Sequence, residues 1–144
     1  MTERCASCNR ILTAQNAYET INDAADRLGD RGYEEGLTEI WYVKPQYSRD
    51  YRMGMDWLYE ETPELLPESP RDLAETHQYL GSIRENDLEE VFVMMQGREW
   101  SPKGEARELI KDRGLAHTSM SVGDAIVQAN DIYLVDNVGF EKVS

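Results

Sequence analysis

The 144-residue chain is poor in the residues that cross-link small proteins, since it contains only two cysteines. Two cysteines are too few for the disulfide scaffold of a small secreted domain. No apolar stretch approaches the roughly 20 residues that span a bilayer, and the N-terminus lacks the apolar region of a signal peptide. Neither a P-loop nor a dinucleotide-binding glycine motif occurs. We therefore expect a cytoplasmic protein that has no membrane partner.

Positive charge is also scarce. The chain has 15 lysine and arginine residues against 28 aspartate and glutamate residues, for a formal net charge of −13, and four of the 15 are lysine. Such a surface repels phosphate backbones, so direct nucleic-acid binding is not expected. Three interpretations stay open: a solubilising surface, an adaptation to a halophilic host, and a surface that presents carboxylates to a basic protein partner, for example as a DNA mimic.

The two cysteines are separated by two residues, Cys5-Ala-Ser-Cys8. Two thiolates on one tight turn can supply half of a tetrahedral zinc site, as in a zinc knuckle. A second such pair is absent, and His77 and His117 are both distant in sequence. The pattern leaves three interpretations: a zinc-associated binding module, a redox pair, or two ordinary reduced thiols.

The periodicity of the chain predicts an α+β fold, in which helices pack on a small antiparallel sheet. In the first half, residues 14–28 and 50–61 are expected to be helical, residues 37–43 and 77–83 to be strands, and residues 62–70 to form an acidic, proline-rich loop. The aromatic residues near Trp57 are expected either to pack in the core or to form a binding surface. Length and composition predict one domain over residues 1–144.

The second half has clearer signals for where elements begin and end. Asn86 is expected to cap a helix that ends at Gly97, and Ser101 with Pro102 to start a second helix that ends near Arg113. A C-terminal β-meander is expected from strands 125–129, 132–136 and 140–143, with a turn at Asn130-Asp131.

The polar run after the second helix holds the best candidate for a catalytic group, His117, beside Ser119 and Ser121 and upstream of Asp124. A Ser-His-Asp arrangement can be drawn from these residues. However, the strained strand-to-helix turn that exposes a nucleophilic serine is absent. The alternative is that the imidazole and the hydroxyls satisfy backbone groups at a tight turn. No catalytic residue is therefore assigned.

A small-ligand or hydrolase site around His117 remains a further hypothesis. Its members would be Trp100, Arg107, His117, Ser119 and Ser121. Trp100 has a structural alternative, as an apolar cover over the start of the second helix.

Residues 85–143 also carry a longer pattern. It reads Met-Gln-Gly-x-x-Trp-Ser-Pro-x-Gly-Glu-Ala-Arg-x-Leu-Ile from Met95, then Gly-Leu-x-His-Thr-Ser-Met-Ser-Val-Gly-Asp from Gly114. This pattern resembles an uncharacterised family of bacteria, phages and plasmids that is related to YodL-like domains of mobile elements. The resemblance implies a mobile-element setting and assigns no catalytic residue. We expect a non-enzymatic accessory protein that binds another protein through its acidic surface, in an anti-defence or regulatory role.

Overall fold

The computed structural model describes Ile21 and residues 37–144. In these residues the chain forms a five-stranded antiparallel sheet with the order β2-β1-β3-β4-β5. The strands are β1 (Thr38–Val43), β2 (His77–Ile83), β3 (Ala125–Gln128), β4 (Asp131–Val135) and β5 (Phe140–Lys142). The predicted α+β class and the C-terminal meander of β3, β4 and β5 are confirmed.

Strand β1 is buried at all six positions, although it lies in an antiparallel sheet. Ile40 and Tyr42 contact one hydrophobic cluster, whereas Trp41 and Val43 contact another. Because successive side chains of a strand point to opposite faces, both faces of the sheet must be covered. The β-branched and aromatic composition of β1 fits this position, which has no solvent-facing side.

Two helical segments supply the cover. The acidic layer, residues 45–76, contains α1 (Ser48–Tyr51), α2 (Met55–Glu60), α3 (Pro70–Thr76) and two 3-10 turns, Pro45–Tyr47 and Pro63–Leu65. The opposite layer, residues 88–120, contains α4 (Leu88–Met94), α5 (Gly97–Trp100) and α6 (Arg107–Asp112). Apolar residues of the acidic layer pack on the face that carries Trp41, and those of the opposite layer pack on the face that carries Tyr42.

Two of the predicted helices begin or end elsewhere. The helix expected to start at Ser101 starts at Arg107, and the Ser101 Oγ accepts a hydrogen bond from the Ala106 N–H at 2.9 Å across an intervening turn. Gly104, whose φ of +81° is left-handed, breaks the helical path between them. The preceding helix is capped by Asp87 and not by Asn86, and it ends at Met94, before Gly97.

The helix expected over residues 50–61 is split in two by Gly54, which has a φ of +100°. A Cβ at Gly54 would lie 2.3 Å from the side-chain nitrogen of Asn137, so this glycine also permits close contact with the turn after β4. The turn between β3 and β4 is formed by Ala129 and Asn130, both with positive φ, one residue earlier than predicted.

The acidic segment 62–70 is part of the cover and not a bare connection. Leu65 and Leu66 pack against the core of the acidic layer, and Pro67 is buried. The Ser69 hydroxyl then caps α3 by accepting from the Asp72 N–H. The helix expected over residues 14–28 lies outside the described residues, apart from Ile21, which is helical and fully buried.

Across residues 37–144 and at Ile21, none of the helices has the length and apolarity that a membrane-spanning segment requires.

Candidate functional site

A fully buried carboxylate, Asp124, stands at the start of β3 and joins four parts of the fold. Its Oδ1 accepts from the backbone N–H of Val43 at 2.9 Å, which continues the β1–β3 pairing beyond the last strand pair. Its Oδ2 accepts from the Ser121 N–H at 2.8 Å and from His117 Nε2 at 2.9 Å. The guanidinium of Arg52, in the acidic layer, lies 3.8 Å from Oδ1. A buried charge needs such compensation, because an unpaired one is costly.

The His117 ring is fixed on two sides. A carboxylate can only accept from it, so Nε2 carries the proton and donates to Asp124. The ring stacks on Tyr42, with centroids 4.5 Å apart and planes inclined by 13°. The side chain is 20% exposed, and Nδ1 has no hydrogen-bond partner among the described residues. This arrangement is that of an oriented imidazole base, which could take a proton through Nδ1.

Tyr42 ties this imidazole to the opposite layer. Its hydroxyl donates to the Thr118 carbonyl at 2.7 Å and lies 3.4 Å from the Met95 carbonyl. Burial, with a further contribution from the negative charge of Asp124, raises the pKa of Tyr42 well above its usual value. Tyr42 therefore acts as a neutral hydrogen-bond donor at ordinary pH.

The serines that the sequence places beside His117 are directed to backbone groups. Ser119 Oγ accepts from the Gly97 N–H at 2.7 Å, and Ser121 Oγ donates to the Ser119 carbonyl at 3.1 Å. The indole N–H of Trp100, a fully buried residue, donates to the Thr118 carbonyl at 3.1 Å. Neither serine hydroxyl is hydrogen-bonded to His117, so the geometry does not form a nucleophile–base pair from them.

A second histidine lies on the other side of Gly123. His77 Nε2 must donate to the Gly123 carbonyl at 2.7 Å, so its Nδ1 accepts from the Thr76 hydroxyl at 2.8 Å. The ring is completely buried and meets Tyr51 edge-on, with centroids 4.8 Å apart. Desolvation lowers the pKa of His77 to about 4. His77 is thus a neutral structural histidine and has no access to solvent.

Arg107 faces a cleft in the opposite layer. The cleft has a volume of about 460 Å³ and is lined by Gly97, Ser101, Gly104, Arg107, Ile110, Lys111, Leu115, Ala116 and Thr118. His117, Ser119, Ser121 and Trp100 are not in this lining. The structure therefore places one of the five proposed ligand residues on the cleft and the other four in the surrounding hydrogen-bond network.

The outer surface of the acidic layer concentrates negative charge. Residues 56–75 hold seven carboxylates and one arginine, and all eight side chains are exposed: Asp56, Glu60, Glu61, Glu64, Glu68, Arg71, Asp72 and Glu75. Two large apolar side chains of the same layer, Met53 and Tyr59, are 51% and 48% exposed. The Tyr59 hydroxyl donates to Glu141 at 3.2 Å.

Cys5 and Cys8 lie outside the described residues, so the structure does not test the proposed zinc half-site. Within the described part of the chain, no group of three or more histidine, cysteine or acidic residues is placed to hold a metal ion.

The sequence analysis did not identify several residues of the cleft and of the Asp124 network as site residues. Lys111 is four residues from Arg107, the spacing that puts two side chains on one helix face, and this spacing could have identified it. Ser101 and Thr118 join the cleft from separate turns. Tyr42 and Arg52 reach His117 and Asp124 from distant segments, and nothing local marks them.

Comparisons of the chain with protein-family models, with curated proteins and with solved structures each found no match.

Proposed function

We propose that this protein is a non-enzymatic accessory protein that binds a basic protein partner through the exposed surface of its acidic layer. The observation that carries this proposal is the concentration of seven exposed carboxylates, with a single arginine, on residues 56–75. The mobile-element setting comes from the resemblance of residues 85–143, and an anti-defence or regulatory role would fit that setting.

The distribution of charge favours a directed surface over a uniformly solubilising one. The acidic layer has eight carboxylates against three arginines, whereas the opposite layer has six carboxylates against five basic residues. A uniformly solubilising or halophilic surface would be acidic on both sides. A field of one sign on one side instead steers a partner of opposite sign and repels like-charged surfaces.

Exposed apolar groups lie within this charged surface. Met53 and Tyr59 are half-exposed, and Trp57, in the same helix as Tyr59, is partly buried. Tyrosine, tryptophan and methionine are enriched at protein interfaces, where they supply contact area that charge alone does not. The combination of carboxylates for attraction and aromatic groups for contact is suited to a protein partner.

The geometry around His117 favours this function over hydrolysis. His117 is well oriented, but the neighbouring serines bond to backbone groups and the cleft is lined by other residues. An acylating hydrolase needs a nucleophile within hydrogen-bond reach of its base.

The experiment is a salt-dependent pull-down from the cells that carry the gene. The bait variant E60Q/E61Q/E64Q removes three exposed charges from the acidic layer, and E89Q/E90Q/E108Q removes three from the opposite layer as a matched control. We expect basic proteins to be retained by the wild type and the control, and to be lost with the acidic-layer variant and at high salt. Equal retention by all three baits, or equal loss from both variants, would contradict the proposal.

A further inference from the structure

Among the described residues, the lining of the cleft in the opposite layer contains basic side chains and no carboxylate. Two of its lining side chains, Arg107 and Lys111, are cationic, in a chain whose net charge is −13. We propose that this cleft binds a small anionic ligand through a phosphate or carboxylate group. This inference is independent of the acidic layer and of any protein partner.

The two cations are left available by the fold. Arg107 and Lys111 lie four residues apart on α6, so they project from one face of the helix. Neither forms an ion pair with a carboxylate in the described part of the chain, although Glu105 and Glu108 are close in sequence. Both side chains are exposed, so their charges are available to a ligand. An anionic ligand would supply the missing charge.

Two hydroxyl groups of the lining are available as donors. Ser101 Oγ accepts from the Ala106 N–H, which fixes the oxygen and leaves its hydrogen free to donate. The carbonyl of Thr118 accepts from both Tyr42 and Trp100, so its backbone position is fixed. The Thr118 hydroxyl itself has no hydrogen-bond partner among the described residues. Guanidinium, ammonium and hydroxyl donors together suit the several acceptor oxygens of phosphate or carboxylate.

Two glycines of the lining, Gly97 and Gly104, leave room for neighbouring side chains. The Arg107 guanidinium lies over Gly104, 3.1 Å from where a Cβ would be, so a side chain at that position would crowd it. Ile110 and Leu115 are buried and give the cleft an apolar floor. A volume of about 460 Å³ is suited to a small molecule, and an apolar wall with a few polar groups is typical of such sites.

The test is an NMR titration of the full-length, ¹⁵N-labelled protein with inorganic phosphate at constant ionic strength. Acetate is titrated in a second arm and sodium chloride in a third. We expect phosphate, acetate or both to shift the amide signals of Gly97, Ser101, Gly104 and Thr118 in a saturable way. The arm that saturates at lower concentration identifies the preferred group. Chloride should produce only small, non-saturating shifts.

The variants separate the cleft from general charge. R107Q/K111Q is expected to weaken binding by about tenfold or more, since it removes charge-assisted hydrogen bonds. R71Q removes one cation from the acidic layer and should leave the affinity unchanged. The spectrum of each free variant reports whether the fold is retained, and single R107Q and K111Q variants replace the double variant if it is not. Shifts scattered over the surface, no saturation in either anion arm, or equal weakening by R71Q would overturn the proposal.

Discussion

The two helical layers cover opposite faces of one sheet, but their outer surfaces have different chemistry. On the inner side they are alike, since both bury a tryptophan- or tyrosine-containing strand face with residues that include leucine and methionine. In charge they differ, since the acidic layer holds eight carboxylates and three arginines, whereas the opposite layer holds six carboxylates and five basic residues. Packing on the sheet therefore constrains the inner faces of the layers and places no such constraint on the charge of their outer faces.

The two layers meet at the polar loop, residues 115–124, and chiefly at Gly123 and Asp124. Arg52 of the acidic layer reaches the Asp124 carboxylate and the Val122 carbonyl. His117 stacks on Tyr42, on the sheet face that the opposite layer covers, and its Nε2 donates to the same carboxylate. One buried charge therefore couples both layers to β1 through Val43. Substitutions at this junction should have larger effects on stability than substitutions on either outer surface.

The largest effect is expected for Asp124→Ala. The substitution leaves the N–H groups of Val43 and Ser121, as well as Arg52 and His117, without their shared acceptor. Breaking a buried charged network in this way costs about 3–5 kcal/mol. Asp131→Ala is the matched control, because the Asp131–Lys142 pair is about half-exposed and 3.8 Å apart, and it should cost less than about 1 kcal/mol. Urea denaturation measures both. Similar losses for the two variants would mean that Asp124 does not couple the layers.

The next effect concerns pH and His77. Burial lowers the pKa of His77 to about 4 in the folded protein, below its usual value of 6.5. Between these values the unfolded chain binds a proton and the folded chain does not, so protonation favours unfolding. The contribution of His77 to stability should therefore be complete above pH 6.5 and fall by about 3 kcal/mol as the pH drops towards 4.

Denaturation curves between pH 4 and 8 test this expectation, with His77→Gln as the comparison. A glutamine side chain can still donate to the Gly123 carbonyl but does not titrate in this range. The variant should thus show a weaker dependence of stability on pH than the wild type. If the two pH profiles run parallel, His77 is not the group that titrates.

The third effect is expected at Gly123, where the polar loop packs against Tyr51 of the acidic layer. Its φ is +98°, and a Cβ there would lie 2.5 Å from the Tyr51 Cβ of the acidic layer. Gly123→Ala should cost about 2–4 kcal/mol through combined strain and overlap. Gly139 also has a positive φ, +77°, but a Cβ there would meet nothing within 4 Å. Gly139→Ala should cost about 1–2 kcal/mol, from backbone strain alone.

Thermal denaturation of the two alanine variants checks the difference between them. The backbone contribution is common to both variants, so the difference isolates the contact between Gly123 and Tyr51. Equal losses would show that the acidic layer can move away from the loop at little cost, and that the junction is looser than its distances indicate.

The sheet was predictable because its signals are local. Residues 37–43 are rich in β-branched and aromatic residues, and the strands of the meander are short apolar runs separated by turn residues. The start of α6 was not predictable, since Ser101-Pro102 has the pattern of a helix start, whereas Ser101 caps Ala106 across a turn at Gly104. Caps are strong local signals, but a left-handed glycine nearby can override them.

The candidate site was predictable only in part, because its contacts are distant in sequence. Arg107 and His117 were identified from the sequence, but they face different surroundings, the cleft and the Asp124 carboxylate. The Asp124 carboxylate binds a backbone group 81 residues away, and the Tyr42 hydroxyl binds one 76 residues away. Such partners follow from strand order and layer packing, which no local pattern in the sequence specifies.

The smallest effect on stability is expected on the outer surface of the acidic layer, where like charges crowd together. At low ionic strength E60Q/E61Q/E64Q should stabilise the protein slightly, by less than about 0.5 kcal/mol, because the removed carboxylates repel their neighbours. E89Q/E90Q/E108Q should instead destabilise the protein slightly, because all three carboxylates lie in the first turn of a helix, where the helix dipole favours negative charge. The gain should vanish near 1 M salt, where the screening length is about 3 Å. Urea denaturation at both salt concentrations makes the measurement. An equal gain in both variants would mean that stability depends only on the net charge of the whole protein. The difference in charge between the two layers would then have no effect on the free energy of unfolding.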